Sequence, residues 1–210
     1  MINVFEALKF VGGLSSPSKM PCQGYSLSAL RCITGAKMAK VENSICSKCY
    51  ALRGNYRYQN VHDAHERRFA ALKKSKWIEA MVCAINGSES SGYFRWHDSG
   101  DLQGVWHLQK IVDVCNLTPS IKHWLPTREF KFVGDFVRAG GIIPKNLCIR
   151  FSALMFDGLP PIELAKRASV QVSGASKTDF NCPASQQGNK CLACRACWDK
   201  KTFAVNYKRH

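Results

Sequence analysis

The sequence predicts an α/β fold, a small or incomplete (β/α) barrel with parallel strands. Strand-like and helix-like segments alternate from about residue 92 onward, and repeated units of this kind imply parallel strands with right-handed crossovers. The 210 residues suit a single domain. A doubly wound sheet shows the same alternation and stays open as the alternative. We therefore treat 1–210 as one domain, with irregular cysteine-rich segments at 22–50 and 182–198.

The elements are expected in the following order. Residues 1–60 are rich in Gly, Ser and Cys and lack periodicity, so most of them should be irregular. Apolar residues at helical spacing predict one helix over His62–Ile85. The expected strands are Gly92–His97, Lys122–Pro126, Leu147–Ser152, Val170–Ser173 and Phe203–Tyr207. The expected helices between them are Trp106–Leu117, Phe130–Ala139, which Gly140 and Gly141 end, and Pro161–Arg167.

The charge balance favours an anionic partner. The chain contains thirty Lys and Arg but only fifteen Asp and Glu, which gives it a net charge of +15. Such a positive charge favours binding to nucleic acid or nucleotides. A basic surface without a specific partner is the other interpretation. The apolar runs are too short to span a membrane, and the N-terminus lacks a secretory signal pattern. We therefore expect a cytoplasmic protein without membrane association.

Eleven cysteines in such a chain point to metal or chemistry rather than to disulfides, because the cytosol keeps thiols reduced. The sharpest signal lies near the C-terminus, where a C-x2-C-x2-C run follows a further cysteine. The four residues are Cys182, Cys191, Cys194 and Cys197. Three ligands in seven residues are typical of a [4Fe–4S] cluster, whereas zinc sites more often use two separated pairs. The sequence thus predicts a [4Fe–4S] cluster, with zinc as the alternative.

A second cysteine group lies near the N-terminus and ends in C-x2-C. Cys22, Cys46 and Cys49 could supply three ligands and leave one iron open, and Cys32 could add a fourth. Alternatively, both groups could share a single cluster. The sequence therefore allows one or two clusters.

Polar residues follow the predicted strands. His97-Asp98-Ser99-Gly100-Asp101 comes after the first, and Thr127-Arg128-Glu129 comes after the second. Functional groups gather at the carboxyl ends of parallel strands. We expect His97, Asp98, Asp101 and Arg128 to be catalytic, and Ser99, Gly100 and Thr127 to bind a cofactor. The competing interpretation makes Ser99 or Asp101 a helix cap and His97 a hydrogen-bonded core residue.

Several stretches together resemble a known family. They are PCQG, ICSKCYALRGNYRYQNV, FRWHDSGDLQ, the LPTRE segment and the tail ending in CW. In this order they resemble the phage "gene product 88" domain family over about Cys22 to Trp198. The resemblance implies a phage or prophage protein, working in the host cytoplasm.

That family is distantly similar to radical S-adenosylmethionine enzymes, which are built on partial (β/α) barrels. The similarity implies that Cys22, Cys46 and Cys49 are cluster ligands and that residues 97–101 line the mouth of the barrel. The C-x3-C-x2-C triplet of those enzymes is absent here, as is a clear glycine-glycine-acid stretch after the next strand. Both departures argue against S-adenosylmethionine binding.

Three functions follow as hypotheses. The first is an iron–sulfur enzyme acting on a nucleotide or nucleic acid at the barrel mouth. The second is a nucleic-acid-binding protein with a structural zinc or cluster and no catalysis. The third is a phage accessory protein that binds a host protein.

Overall fold

The computed structural model describes residues 2–209, and a six-stranded parallel sheet organises them. The strands lie side by side in chain order, and the sheet does not close. They are β1 (Gly24–Tyr25), β2 (Tyr93–Trp96), β3 (Lys122–Thr127), β4 (Leu147–Ser152), β5 (Gln171–Ser176) and β6 (Ala204–Lys208). Each strand pairs in parallel with the next one. The prediction of an α/β fold with an incomplete barrel of parallel strands is confirmed.

Seven α-helices accompany the sheet in the described chain. They are α1 (Val4–Val11), α2 (Ile33–Met38), α3 (Gln59–Leu72), α4 (Trp77–Ser88), α5 (Val105–Leu117), α6 (Phe130–Arg138) and α7 (Ile162–Arg167). The single helix expected over His62–Ile85 was wrong. Four polar residues, 73–76, separate α3 from α4, and α4 begins at the fully buried Trp77.

Three elements of the N-terminal region, α1, α2 and β1, were not expected. The helix α1 begins at a capping box, in which the Asn3 side chain accepts from the Glu6 amide and the Glu6 side chain accepts from the Asn3 amide. This arrangement satisfies two free donors at the helix start. The strand β1 has only two residues and pairs with Arg95 and Trp96 of β2. The rest of residues 1–60 consists mainly of loops and short 3-10 turns, as predicted.

The helices pack on one face of the sheet, because a parallel sheet with sequential order places its right-handed crossovers on one side. The core on that face joins buried residues of α1 and of α3 to α7 with alternate residues of the strands. In β4 those residues are Leu147, Ile149 and Phe151, while Cys148, Arg150 and Ser152 point the other way. The strand expected over Leu147–Ser152 is therefore confirmed, with its residues alternating between the two faces of the sheet.

The opposite face of the sheet is covered by the C-terminal cysteine-rich segment. Trp198 packs edge-on against Trp124 of β3 and Tyr93 of β2, with ring centroids 5.2 and 5.5 Å apart. Its indole N–H donates to the Phe94 carbonyl at 2.9 Å. This segment therefore forms part of the fold and is not a free tail. No helix in residues 2–209 is long and apolar enough to span a membrane.

Candidate metal centre and strand-end site

The cysteines of the C-terminal segment meet at one small cavity under Trp198. The four that line it are Cys182, Cys191, Cys194 and Cys197. Backbone bonds fix their loops: the Cys182 amide donates to Asn206 of β6 at 2.9 Å, and the Cys191 amide donates to Lys19 at 2.9 Å. The Cys194 amide donates to the Cys191 carbonyl at 2.9 Å, which closes a tight turn. The predicted C-terminal set is thus brought together in space.

Cys22 lies beside this C-terminal group. It is buried in one cluster with Cys197, Trp198 and Trp124. Burial, the charge of Glu89 and the neighbouring Cys191 thiol raise its pKa to about 12. The sequence had grouped Cys22 with Cys46 and Cys49, and the structure groups it with the C-terminal cysteines.

Arg150 of β4 holds the C-terminal segment in place. It is fully buried, and its guanidinium donates to six backbone carbonyls at 2.7 to 3.2 Å. The acceptors are the carbonyls of Val172, Ala196, Cys197, Asp199, Thr202 and Phe203. A planar, always charged guanidinium suits such a set of acceptors, because its five N–H groups diverge in one plane. Nη2 has two hydrogens and three acceptors, so one of its N–H groups is shared between two carbonyls. The conformation around Cys197 therefore depends on a side chain far from it in sequence.

Arg95 of β2 brings a second positive charge to the same face. Its guanidinium stacks on Trp124 at 4.4 Å, and its buried Nε has no hydrogen-bond partner. Within the described residues it forms no ion pair with a carboxylate. Burial raises the pKa of Cys191 and Cys197, and the Arg95 charge acts against that rise. The group therefore lies next to a half-buried cation that has no carboxylate within ion-pair distance among the described residues, although the more distant Asp98 carboxylate helps to raise the pKa of Arg95.

The N-terminal group consists of Cys32, Cys46 and Cys49. The Cys32 and Cys46 sulfurs lie 3.5 and 3.7 Å from the position that a Cβ on Gly35 would take. Burial raises the pKa of the Cys32 thiol, and the charges of Asp101, Cys49 and Cys46 raise it further. Cys32 is therefore a close neighbour of both cysteines of the C-x2-C pair, a position that the sequence had left open.

The loop after β3 anchors this N-terminal group. The Glu129 carboxylate accepts from the Thr34 amide at 2.7 Å and from its hydroxyl at 2.9 Å, which fixes the start of α2 next to Cys32. The Ile45 amide, just before Cys46, donates to Leu154 beyond β4 at 2.9 Å. The group thus lies at the carboxyl ends of the strands, where the sequence predicted a site.

Asp101 joins the ends of β2 and β3. Its carboxylate accepts from the Thr127 hydroxyl at 2.6 Å and from the amides of Arg128 at 2.9 Å and Leu102 at 2.8 Å. Burial raises the pKa of Asp101 to about 6, and these hydrogen bonds oppose the rise. The Arg128 guanidinium donates through Nε to Ala153 at 3.2 Å, and its charge lies beside Cys32 and Cys46. The structure thus brings three predicted residues, Asp101, Thr127 and Arg128, next to the N-terminal cysteines.

Ser99, Asp98 and Gly100 make contacts that fix the loop after β2. Ser99 donates to Leu27 at 2.7 Å and contacts Nε2 of His65 at 3.1 Å. The Asp98 carboxylate accepts from the Tyr56 hydroxyl at 3.0 Å. Gly100 has φ +74°, and a Cβ there would lie 2.7 Å from that of Leu27.

His97 is buried away from the strand-end groups. Its φ is +56°, its ring packs against that of His107 at 5.2 Å, and neither ring nitrogen has a partner in the part of the chain that the structure describes. Burial and the Arg95 charge lower its pKa to about 3. His97 is thus a buried residue whose ring makes no hydrogen bond within the described part of the chain, and its catalytic role stays a prediction.

No three His, Cys, Asp or Glu side chains within residues 2–209 are arranged to hold a single metal ion. The site also includes Arg95 and Arg150, to which the sequence analysis gave no role. Cys32, which it named as a possible fourth ligand, and Glu129, which it named without a role, belong to the site as well. Arg150 alternates in sequence with the apolar residues of β4, and this alternation indicates that its side chain points to the opposite face of the sheet. Arg95 has the same signal in the run Phe94-Arg95-Trp96.

Comparison with known proteins identifies a family for the chain. No curated protein and no solved structure is similar to the chain at a significant level. The family model described as Gene product 88 matches residues 6–200. This match includes both cysteine groups, the loop after β2 and the segment that covers the open face of the sheet. The chain belongs to the Gene product 88 family.

Proposed function

We propose that this protein is an iron–sulfur enzyme of phage origin, with a cluster on Cys182, Cys191, Cys194 and Cys197. The observation that carries the proposal is that these four thiols line one cavity. Four cysteines are the usual ligand set of a [4Fe–4S] cluster, and C-x2-C-x2-C is a familiar spacing for three of them. A cluster also spaces its thiolates more widely than one metal ion does, because the irons and sulfides lie between them.

The charges around the cavity support an anionic cofactor. Four thiolates give a bound [4Fe–4S] cluster a net negative charge, and burying such a charge is unfavourable without a partner. Arg95 supplies a half-buried guanidinium close to Cys191 and Cys197, and within the described residues no carboxylate forms an ion pair with it. A bound cluster would balance that charge.

The strand-end groups support an anionic substrate. When bound, an iron–sulfur cluster supplies one-electron transfer. Arg128 lies at the carboxyl ends of the strands and is suited to pair with a phosphate or carboxylate. Asp101 fixes the Arg128 backbone and the end of β3, and therefore positions that guanidinium. The net charge of +15 favours a nucleotide or nucleic acid as the substrate.

A nucleic-acid-binding protein with a structural zinc or cluster is the second candidate. The observation in its favour is that Asp101 is occupied by three hydrogen bonds and that His97 is buried without a partner. These two residues then stabilise the fold and leave little acid–base chemistry at the strand ends.

Metal and sulfide analysis on protein purified without oxygen tests the cluster. We expect iron and acid-labile sulfide in about equal amounts. Cys194→Ser should lose the cluster, whereas Cys115→Ser, which changes a thiol buried on the helical face, should keep it. About four irons per chain indicate one cluster, and about eight indicate that the N-terminal group holds a second. Zinc without iron, or no metal, would overturn the cluster.

Turnover tests the enzyme. The reduced protein is incubated with a panel of nucleotides and oligonucleotides, and the products are identified by mass spectrometry. We expect a product that Arg128→Gln abolishes at unchanged iron content. If no nucleotide or oligonucleotide is converted while iron content is full, the second candidate replaces the enzyme.

A further inference from the structure

An exposed basic and aromatic segment borders the strand-end site. We call residues 48–58 the tyrosine–arginine segment. Lys48, Arg53 and Arg57 are exposed in it, and no acidic residue occurs between Glu42 and Asp63. None of the three cations forms an ion pair with any residue in 2–209. Their charges are therefore available to an anionic partner.

Two aromatic rings are exposed among these cations. Tyr50 is 58% exposed and Tyr58 is 61% exposed. Arg53 lies between the two tyrosines in sequence, and Arg57 directly precedes Tyr58. Alternating cations and aromatic rings are the pattern by which proteins bind the phosphates and bases of one strand.

The segment is fixed by contacts beneath it. The Tyr50 hydroxyl donates to the Asp98 carbonyl, and the Tyr56 hydroxyl donates to the Asp98 carboxylate at 3.0 Å. Tyr56 lies edge-on to Tyr50 at 5.7 Å and stacks on His65 at 6.3 Å. A surface whose backbone and rings are already ordered loses less entropy on binding.

The position of the segment connects it to the site. Cys49 directly precedes Tyr50, and Asp98 belongs to the loop after β2 that also holds Asp101. A strand bound along the segment would therefore lie beside the N-terminal cysteines and the carboxyl ends of the strands.

We propose that the tyrosine–arginine segment binds single-stranded nucleic acid. Lys48, Arg53 and Arg57 contact phosphates, and Tyr50 and Tyr58 stack against bases. A single strand fits better than a duplex, because stacking requires unpaired bases. The segment also consists of 3-10 turns of three or four residues, Tyr50–Leu52 and Gly54–Arg57, with no long helix to enter a groove. The inference needs no cluster and does not rest on the proposed reaction.

Fluorescence anisotropy tests the inference with labelled oligo(dT) and oligo(U) of about 20 nucleotides, longer than one typical site, and with a duplex of the same length. The wild-type chain should bind the single strands more tightly than the duplex. The double variant Arg53→Gln/Arg57→Gln should weaken binding and flatten the plot of log K against log salt by about 1.4, about 0.7 for each lost phosphate contact. The oligo(dT) and oligo(U) arms decide between DNA and RNA.

The stacking contact has its own variants. Tyr58→Ala should weaken binding about tenfold, within the range for one stacked base, whereas Tyr58→Phe should bind like the wild type. The control for charge is Lys9→Gln/Lys145→Gln, which removes two exposed cations outside the segment. Circular dichroism checks that each variant folds.

Three results would overturn the inference. They are equal affinity for duplex and single strand, an equal loss in the Lys9/Lys145 control, and unchanged binding in both Tyr58→Ala and the double arginine variant. Absence of a cluster from the purified protein would refute only the proposed function, because none of the contacts named here involves it.

Discussion

Replacing Arg150 by methionine should strongly destabilise the protein and release the C-terminal segment. The guanidinium is fully buried and donates to six carbonyls. A hydrogen bond from a charged donor contributes about 1.5 to 3 kcal/mol, and such bonds are not additive within one network. Leaving a buried carbonyl without a donor costs about 1 to 3 kcal/mol, and Arg150→Met does this to several carbonyls at once. We therefore expect Arg150→Met to lower the free energy of unfolding by about 4 kcal/mol or more.

Arg150→Lys should lower the free energy of unfolding about half as much as Arg150→Met. Its ammonium has three donors where the guanidinium has five, so it can satisfy at most three of the six carbonyls. We expect a loss of about 2 kcal/mol for Arg150→Lys. Arg138→Met is the matched control, because Arg138 is an exposed residue of α6 whose ion pair with Asp135 lies at the surface. Such a change should stay within about 0.5 kcal/mol.

Urea unfolding followed by tryptophan fluorescence measures these free energies. For a slope of about 2 kcal/mol per molar, Arg150→Met should shift the midpoint by about 2 M. Alkylation under native conditions reports the local effect, since Cys197 should become reactive in Arg150→Met and Cys115 should stay protected. A midpoint shift equal to that of Arg138→Met, or an unchanged Cys197, would show that the six bonds do not hold the segment.

Two further predictions concern packing and pH. Gly35→Ala should lower the free energy of unfolding by about 1 to 3 kcal/mol through overpacking, because the new Cβ would lie 2.9 Å from that of Cys32. Thermal unfolding measures this loss. The control is Gly134→Ala in α6, where a new Cβ contacts only the tip of an arginine side chain at 3.4 Å. Burial lowers the pKa of His123 to about 3 and that of His107 well below 6.5. Below pH 6.5 the unfolded chain therefore binds more protons than the folded chain, and the free energy of unfolding should fall as the pH drops from 6.5 toward 3. By about pH 5 His123 should contribute a loss of about 2 kcal/mol. In urea titrations the stability of His123→Gln should depend less on pH, and an unchanged dependence would refute the assignment.

Most of the sheet could be predicted from the sequence because its strands have strong local signals. The strand β4 was placed correctly from the alternation of apolar and polar residues along it. The break between α3 and α4 was missed because apolar residues on both sides continue the helical spacing. Capping at Asn3 and Glu6 did mark α1, although that helix was not predicted. The contacts of Arg150 could not be predicted, since they depend on a segment that returns to the sheet from much later in the chain.

The grouping of the cysteines differed from the prediction because of one short strand. Cys22 precedes β1 and Cys32 follows it, so the two cysteines lie on either side of a strand that pairs with Arg95 and Trp96 of β2. Two residues of strand give no periodic pattern, so the sequence offered no reason to separate these cysteines. With β1 in place, Cys22 lies near Cys191 and Cys197. Cys32 lies near Cys46 at the carboxyl ends of the strands. The N-terminal group thus lies at the carboxyl ends of the strands, whereas the C-terminal group lies against the open face of the sheet. The iron count tests whether the N-terminal group holds a cluster of its own.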